Sequence, residues 1–125
     1  MSVSDATNTT VTYPTELRDP GGWHTGSGAN VTVPVDDWYE IVVNVRSLSA
    51  AAGTRRLLHG VLVNSVAIDP CGVDIVYDNA TSLTPNQSST KHAELQADDN
   101  VAVILFHTFG SSINFDVELS VRRIP

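Results

Sequence analysis

The sequence predicts an all-β fold, an antiparallel β-sandwich or jelly roll of about eight strands, and three observations carry that prediction. Alternating apolar and polar residues recur along the chain, turn-forming clusters separate the runs at short intervals, and no stretch shows a helical period. The third observation is Val101–Phe106, Val-Ala-Val-Ile-Leu-Phe, which follows the turn formers Asp98-Asp99-Asn100 and runs on through His107-Thr108-Phe109 to Gly110. An unbroken apolar run rich in β-branched residues reads as a strand buried on both faces. One face belongs to a core. The other needs a cover, because an antiparallel sheet usually leaves one face wet. With no helix to lay over it, the expected cover is another copy of the chain, which makes this strand a core element and an oligomer seam at once.

The other elements follow in order. Residues 1–10 are rich in Ser, Thr and Asn and hold too little apolar surface to offset ordering, so they are expected as a flexible N-terminal arm. Val11 and Tyr13 can begin an edge strand. Pro14–Gly28 is a long loop punctuated by Pro20-Gly21-Gly22 and Gly26-Ser27-Gly28, with Trp23 expected to fold back as a lid on the core. Asn30–Val35 is a short strand whose Pro34 argues for an edge, and Asp36-Asp37 turns the chain. Trp38–Arg46 alternates cleanly, with Tyr39, Ile41, Val43 and Val45 on the core side.

Ser47–Thr54 reads as a loop. Arg55–Ile68 reads as a strand region with Leu57, Val61 and Val63 opposite Leu58 and Leu62, bent at Gly60 or Asn64-Ser65. Asp69-Pro70-Cys71-Gly72 reads as a turn, Val73–Tyr77 as a short strand and Asp78–Thr90 as a polar loop. Lys91–Leu95 leads into the turn at Asp98. After Gly110-Ser111-Ser112, Ile113–Arg123 points Phe115, Val117, Leu119 and Val121 one way and Asn114, Asp116, Glu118, Ser120 and Arg122 the other.

At 125 residues the chain is read as one domain over residues 11–125, preceded by the arm. Fourteen Asp and Glu against seven Lys and Arg give a net charge of −7, which argues against nucleic acid and anionic membrane as partners. The single cysteine, Cys71, cannot form an internal disulfide. The polar start lacks the apolar core of a signal peptide, and no run reaches transmembrane length, so the chain is expected to be made in a cytoplasm.

No catalytic constellation is legible, and neither enzyme activity nor a cofactor is expected. His24, His59, His92 and His107 stand singly, without metal-ligand spacing. Of these, His107 ends the central strand and could meet its own copies near a three-fold axis. Asp36-Asp37 and Asp98-Asp99 read as solvated turn carboxylates, and Cys71 as an inert thiol in a Pro-Cys-Gly turn. Arg55-Arg56 and Arg122-Arg123 are doublets in an acidic chain, available to pair with a neighbouring subunit or another surface.

Three stretches carry a likeness. Val31-Thr-Val-Pro-Val-Asp-Asp-Trp-Tyr-Glu-Ile-Val-Val matches a short strand, a turn and an aromatic strand opening in Gly-x-Tyr, with Asp37 where Gly is usual and Tyr39 as the match. Arg55–Ile68 matches the strand that follows, with its Asn-containing bend. Ala93-Glu-Leu-Gln-Ala-Asp-Asp-Asn-Val-Ala-Val-Ile-Leu matches Leu-x-x-Gly-Asp-x-Val-x-Leu, with Asp98 in place of Gly and Asp99 as the Asp. Over residues 30–122 the chain thereby resembles the trimeric jelly-roll family of the tumour-necrosis-factor ligands and the globular heads of complement-type trimers. That resemblance implies a homotrimer, with Val101, Val103 and Leu105 in the core and Ala102, Ile104 and Phe106 lining the axis beside Val42.

The short polar arm, lone cysteine and absent signal are similar to virion proteins of tailed bacteriophages. The expected function is therefore a bacteriophage capsid decoration or head-surface protein, located in the virion, with itself and the major capsid protein or another virion protein as partners. Docking is expected through the arm, where Thr9, Thr10 and Val11 would add a strand to a partner sheet edge, and through Arg55, Arg56, Arg122 and Arg123. The alternative is a receptor- or carbohydrate-binding tip module of a phage tail fibre.

Overall fold

The structure, a computed structural model, describes residues 2–11, 31–48, 51–110 and 112–124. Among these residues lie nine strands: β1 (Ser2–Val3), β2 (Thr9–Thr10), β3 (Val31–Thr32), β4 (Asp37–Ser47), β5 (Ala51–Val63), β6 (Val66–Leu83), β7 (Asn86–Leu95), β8 (Asn100–His107) and β9 (Ile113–Arg123). They form two antiparallel sheets packed as a jelly-roll sandwich. One, the β4 sheet, has the order β1-β9-β4-β7; the other, the β8 sheet, has the order β2-β8-β5-β6, with β3 also paired to β8.

The period-two patterns set the sandwich. Tyr39, Ile41, Val43 and Val45 of β4 and Phe115 of β9 are buried against Leu57 and Val61 of β5 and Val101, Val103 and Leu105 of β8. Burial of the Tyr39 ring leaves its hydroxyl to be satisfied, and it donates to the Val35 carbonyl at 2.8 Å. Val33, buried, extends β3 through bonds between its backbone and those of Asp98 and Asp99.

Several expectations change. Arg55–Ile68 is a hairpin, not one bent strand: Asn64 (φ 52°) and Ser65 (φ 67°) form a two-residue turn that sets Val63 opposite Val66. Two successive positive φ values match the right-handed twist of the flanking strands. The chain does not turn back at Asp69-Pro70-Cys71-Gly72. β6 stays extended there, and a register shift absorbs the extra residues, since Gly60 faces Gly72 while Leu62 faces Ala67. Most of Asp78–Thr90 is also strand, belonging to β6 and β7. β7 hid from a hydrophobicity reading because its inward positions begin with Gln87 and Ser89; its backbone pairs with β4 from Arg46 opposite Asn86 to Asp37 opposite Leu95.

The arm is likewise corrected. Ser2 and Val3 pair with Asn114 and Ile113, and Thr9 and Thr10 with Leu105 and Ile104. Val3 and Val11 are fully buried, and Ala6 N–H donates to the His107 carbonyl at 2.8 Å. Two well-placed valines and a backbone ladder hold a segment whose composition reads as free. Deleting residues 1–8 is therefore expected to destabilise the protein by about 2–3 kcal/mol, the burial of Val3 alone contributing about 1.5–3 kcal/mol. Urea unfolding checks this, and a truncated chain as stable as the full one would contradict it.

Candidate functional site

The strand alternation gives each sheet one inward and one outward face, and the two outward faces differ in chemistry. On the β4 sheet the register aligns Arg122, Glu40 and His92 in one row, Ser120, Val42 and Thr90 in the next, then Glu118, Asn44 and Ser88, then Asp116, Arg46 and Asn86. The charges in the outer rows are largely paired within the chain. Arg122 Nε donates to Glu40 at 2.8 Å, His92 Nε2 lies 3.4 Å from the other Glu40 oxygen, and Arg46 Nη2 donates to Asp116 at 2.6 Å. The Arg122 guanidinium holds the Glu40 carboxyl below the ordinary glutamate range. These pairs face water and each adds little stability. The central row through Val42 carries no charge, and Trp38, 51% exposed, stands at one end of the face.

The β8 sheet presents an apolar tract. Leu58 lies opposite Phe106, Gly60 opposite Ile104 and Leu62 opposite Ala102, and these side chains alternate with the buried core set. Ala102 is buried, while Leu58, Leu62, Ile104 and Phe106 are half-buried. Arg56 closes one end: its guanidinium lies 5.4 Å from the Phe106 ring centroid and donates to both oxygens of Asp74 at 2.8 and 2.7 Å. Val76, paired with Arg56 across the ladder, is 61% exposed.

The seam expected from the sequence is thereby divided. Val42 faces outward from the β4 sheet, and Ala102, Ile104 and Phe106 face outward from the β8 sheet, so the four cannot share one axis. Both strands carry apolar residues on two faces, and pattern alone does not say which sheet each joins. The docking residues are also engaged within the chain. Thr9 and Thr10 pair with β8, and Val11 N–H donates to the Val103 carbonyl at 2.8 Å. Arg55 donates to the Thr54 carbonyl, Arg56 holds Asp74, Arg122 holds Glu40 and Arg123 holds Asp37. Trp23, His24 and the side chain of Cys71 lie outside the described residues.

Sequence reading missed two fully buried histidines. His107 does not approach a molecular axis from outside; it sits inside the sandwich, with Nε2 at 2.7 Å from the Val3 carbonyl and its ring against Phe109 and Phe115. His59 is clasped by β7, with Nδ1 2.9 Å from Gln87 Oε1 and Nε2 2.8 Å from Ser89 Oγ. Burial lowers the His59 pKa from the ordinary histidine value, and the hydrogen bond to Gln87 opposes that shift only in part. Among the described residues no three His, Cys, Asp or Glu side chains gather as a metal site.

Neither a family model nor a curated protein matches the sequence. Among solved structures, the chain is similar to the globular domain of zebrafish complement 1qA protein, at 17% identity and a TM-score of 0.65, over 99% of this chain and 95% of that one. The match spans both sheets, and it establishes that this chain has the jelly-roll fold of a complement-type globular head.

Proposed function

We propose that this chain is a non-catalytic structural module that self-associates as a homotrimer and works on a virion, as a capsid decoration or head-surface protein. The observation that carries the reading is the tract Leu58, Leu62, Ala102, Ile104 and Phe106, on a face that an antiparallel sheet ordinarily gives to water. The likeness to a complement-type head, a fold family without catalysis, supports a binding role. Self-association is assigned to the other face, around Val42. Copies of one row meet at a rotation axis, and Ser120-Val42-Thr90 brings no like charges together there. The row on one side carries its own counter-charge in Arg122–Glu40, which limits the cost of covering it, and the Arg46–Asp116 pair lies beyond the row of Glu118, Asn44 and Ser88 on the other. The apolar tract is then left for the major capsid protein or another virion protein.

Light scattering on the purified protein is expected to give three times the 13.4 kDa chain mass. Val42→Asp is expected to dissociate the trimer, because an unpaired carboxylate in a closed seam costs several kcal/mol. Ile104→Asp is expected to keep the trimer mass and lose binding to the particle. A monomeric wild type would sink self-association, and a monomeric Ile104→Asp beside a trimeric Val42→Asp would move the seam to the β8 sheet. The half-exposed indole of Trp38 favours a second reading, a receptor- or carbohydrate-binding tip of a tail fibre. Glycan binding lost in Trp38→Ala would select it.

A further inference from the structure

His59 and His107 stand on neighbouring strands, β5 and β8, and each reaches across the sandwich to an edge strand of the β4 sheet. His107 holds β1 through the Val3 carbonyl, and His59 holds β7 through Gln87 and Ser89. The two differ in what awaits a proton.

The Gln87 amide has one orientation available. Its Nε2 donates to the Leu57 carbonyl at 2.9 Å and to the Tyr77 hydroxyl at 3.2 Å, so Oε1 must be the atom facing His59. The neutral ring therefore carries its hydrogen on Nδ1, and Nε2 accepts from the Ser89 hydroxyl. Protonation would add a hydrogen at Nε2. Ser89 could turn and accept it, so both hydrogen bonds would survive, yet the new charge would remain.

The groups facing that charge are Gln87 and Ser89 from β7 and, through Gln87, Tyr77 from β6. Lys91 shares the inward face of β7 with Ser89, and Arg55 shares the inward face of β5. No carboxylate bonds to the ring among the described residues. His107 is placed differently, with an Asp5 carboxylate oxygen 3.8 Å from its Nδ1. His92, on the outward face of β7, has Glu40 beside it and would gain an ion pair on protonation.

We propose that the His59–Gln87–Ser89 contact is an acid-releasable latch, which holds β7 at neutral pH and lets that edge of the β4 sheet open as the pH falls. The sign follows from linkage. A buried imidazole kept neutral stabilises the closed form above the free-histidine value of about 6.5, and this is lost as the pH falls towards the lower closed-state value, because the open form binds the proton more readily. Opening lets water solvate the imidazolium, while β4 and β9 keep their own ladder.

Hydrogen exchange measured from pH 7.5 to 5.0, corrected for intrinsic rates, tests this. In the wild type, amides of residues 86–95 are expected to lose protection about tenfold or more relative to those of β9, which pairs with β1 and β4 and not with β7. His59→Gln, which cannot titrate, is expected to abolish the loss, and His107→Gln to retain it. If His59→Gln fails to fold, an NMR titration of the wild-type ring replaces it. Protonation below the ordinary histidine range, in step with β7 exchange, supports the latch. Flat β7 protection in the wild type, an equal loss in His59→Gln, or a ring that titrates while β7 stays closed would overturn it.

Discussion

Phe115→Ala is expected to lower stability by about 3–5 kcal/mol, as deletion of a large buried aromatic does. Phe115 lies on β9 opposite Ser47, almost wholly buried, where the β4 sheet meets the β8 sheet. Its ring packs 5.5 Å from His107 and 6.2 Å from Phe109, centroid to centroid. Truncation would remove dispersion contacts with both rings and leave a cavity beside the histidine that holds β1. Neighbouring strands are tied by their ladders and cannot collapse into the space, so the cavity cost stays. Against a total stability of about 5–15 kcal/mol, that loss leaves a marginal fold. Leu119→Ala, at a half-buried position on the same face of β9, is expected to cost clearly less. Urea unfolding of both variants checks the order, and a Phe115→Ala chain within about 1 kcal/mol of wild type would show that this contact is not part of the core's support.

Gly72→Ala should be comparably severe, for a backbone reason. Gly72 has φ +133° and faces Gly60 at the register shift of the β5–β6 pair; a Cβ there would lie 2.2 Å from the His59 carbonyl oxygen and 3.0 Å from Gly60 Cα. Both obstacles are main chain, so relief requires the strands to part. The conformation itself costs an L-residue about 1–3 kcal/mol before any clash. A loss of about 3 kcal/mol or more is expected, together with displacement of the His59 backbone. Gly110→Ala isolates the conformational share, since its φ is +91° but nothing lies within 4 Å of the added atom. It should cost only about 1–3 kcal/mol. Equal losses in the two variants would mean that the β5–β6 pair yields without penalty.

The strongly alternating strands were legible residue by residue. β4 and β9 lie close to where their patterns put them, with Tyr39, Ile41, Val43, Val45 and Phe115 inside. That follows because a side-chain period of two, with one dry face, permits only one assignment. β8 was legible as a strand for another reason, an unbroken apolar run rich in β-branched residues that follows turn formers. Which sheet it joins was not, because a ladder is made of backbone groups that every residue carries.

Of the candidate site, the sequence by itself supplied the residue types and the strands that bear them. Val42 and the set Ala102, Ile104 and Phe106 were rightly read as apolar residues on the second face of a strand. Only the strand order β1-β9-β4-β7 and β2-β8-β5-β6 decided that they look out on opposite sides of the molecule. The same holds for the polar strand β7 and the N-terminal segment. Their own side chains provide little hydrophobic drive, and they are strands because distant residues complete them: β4 pairs with β7, His59 clasps Gln87 and Ser89, and His107 takes the Val3 carbonyl. Local pattern determines an element when burial is its own; where the stabilising partner lies far along the chain, only the tertiary structure can decide.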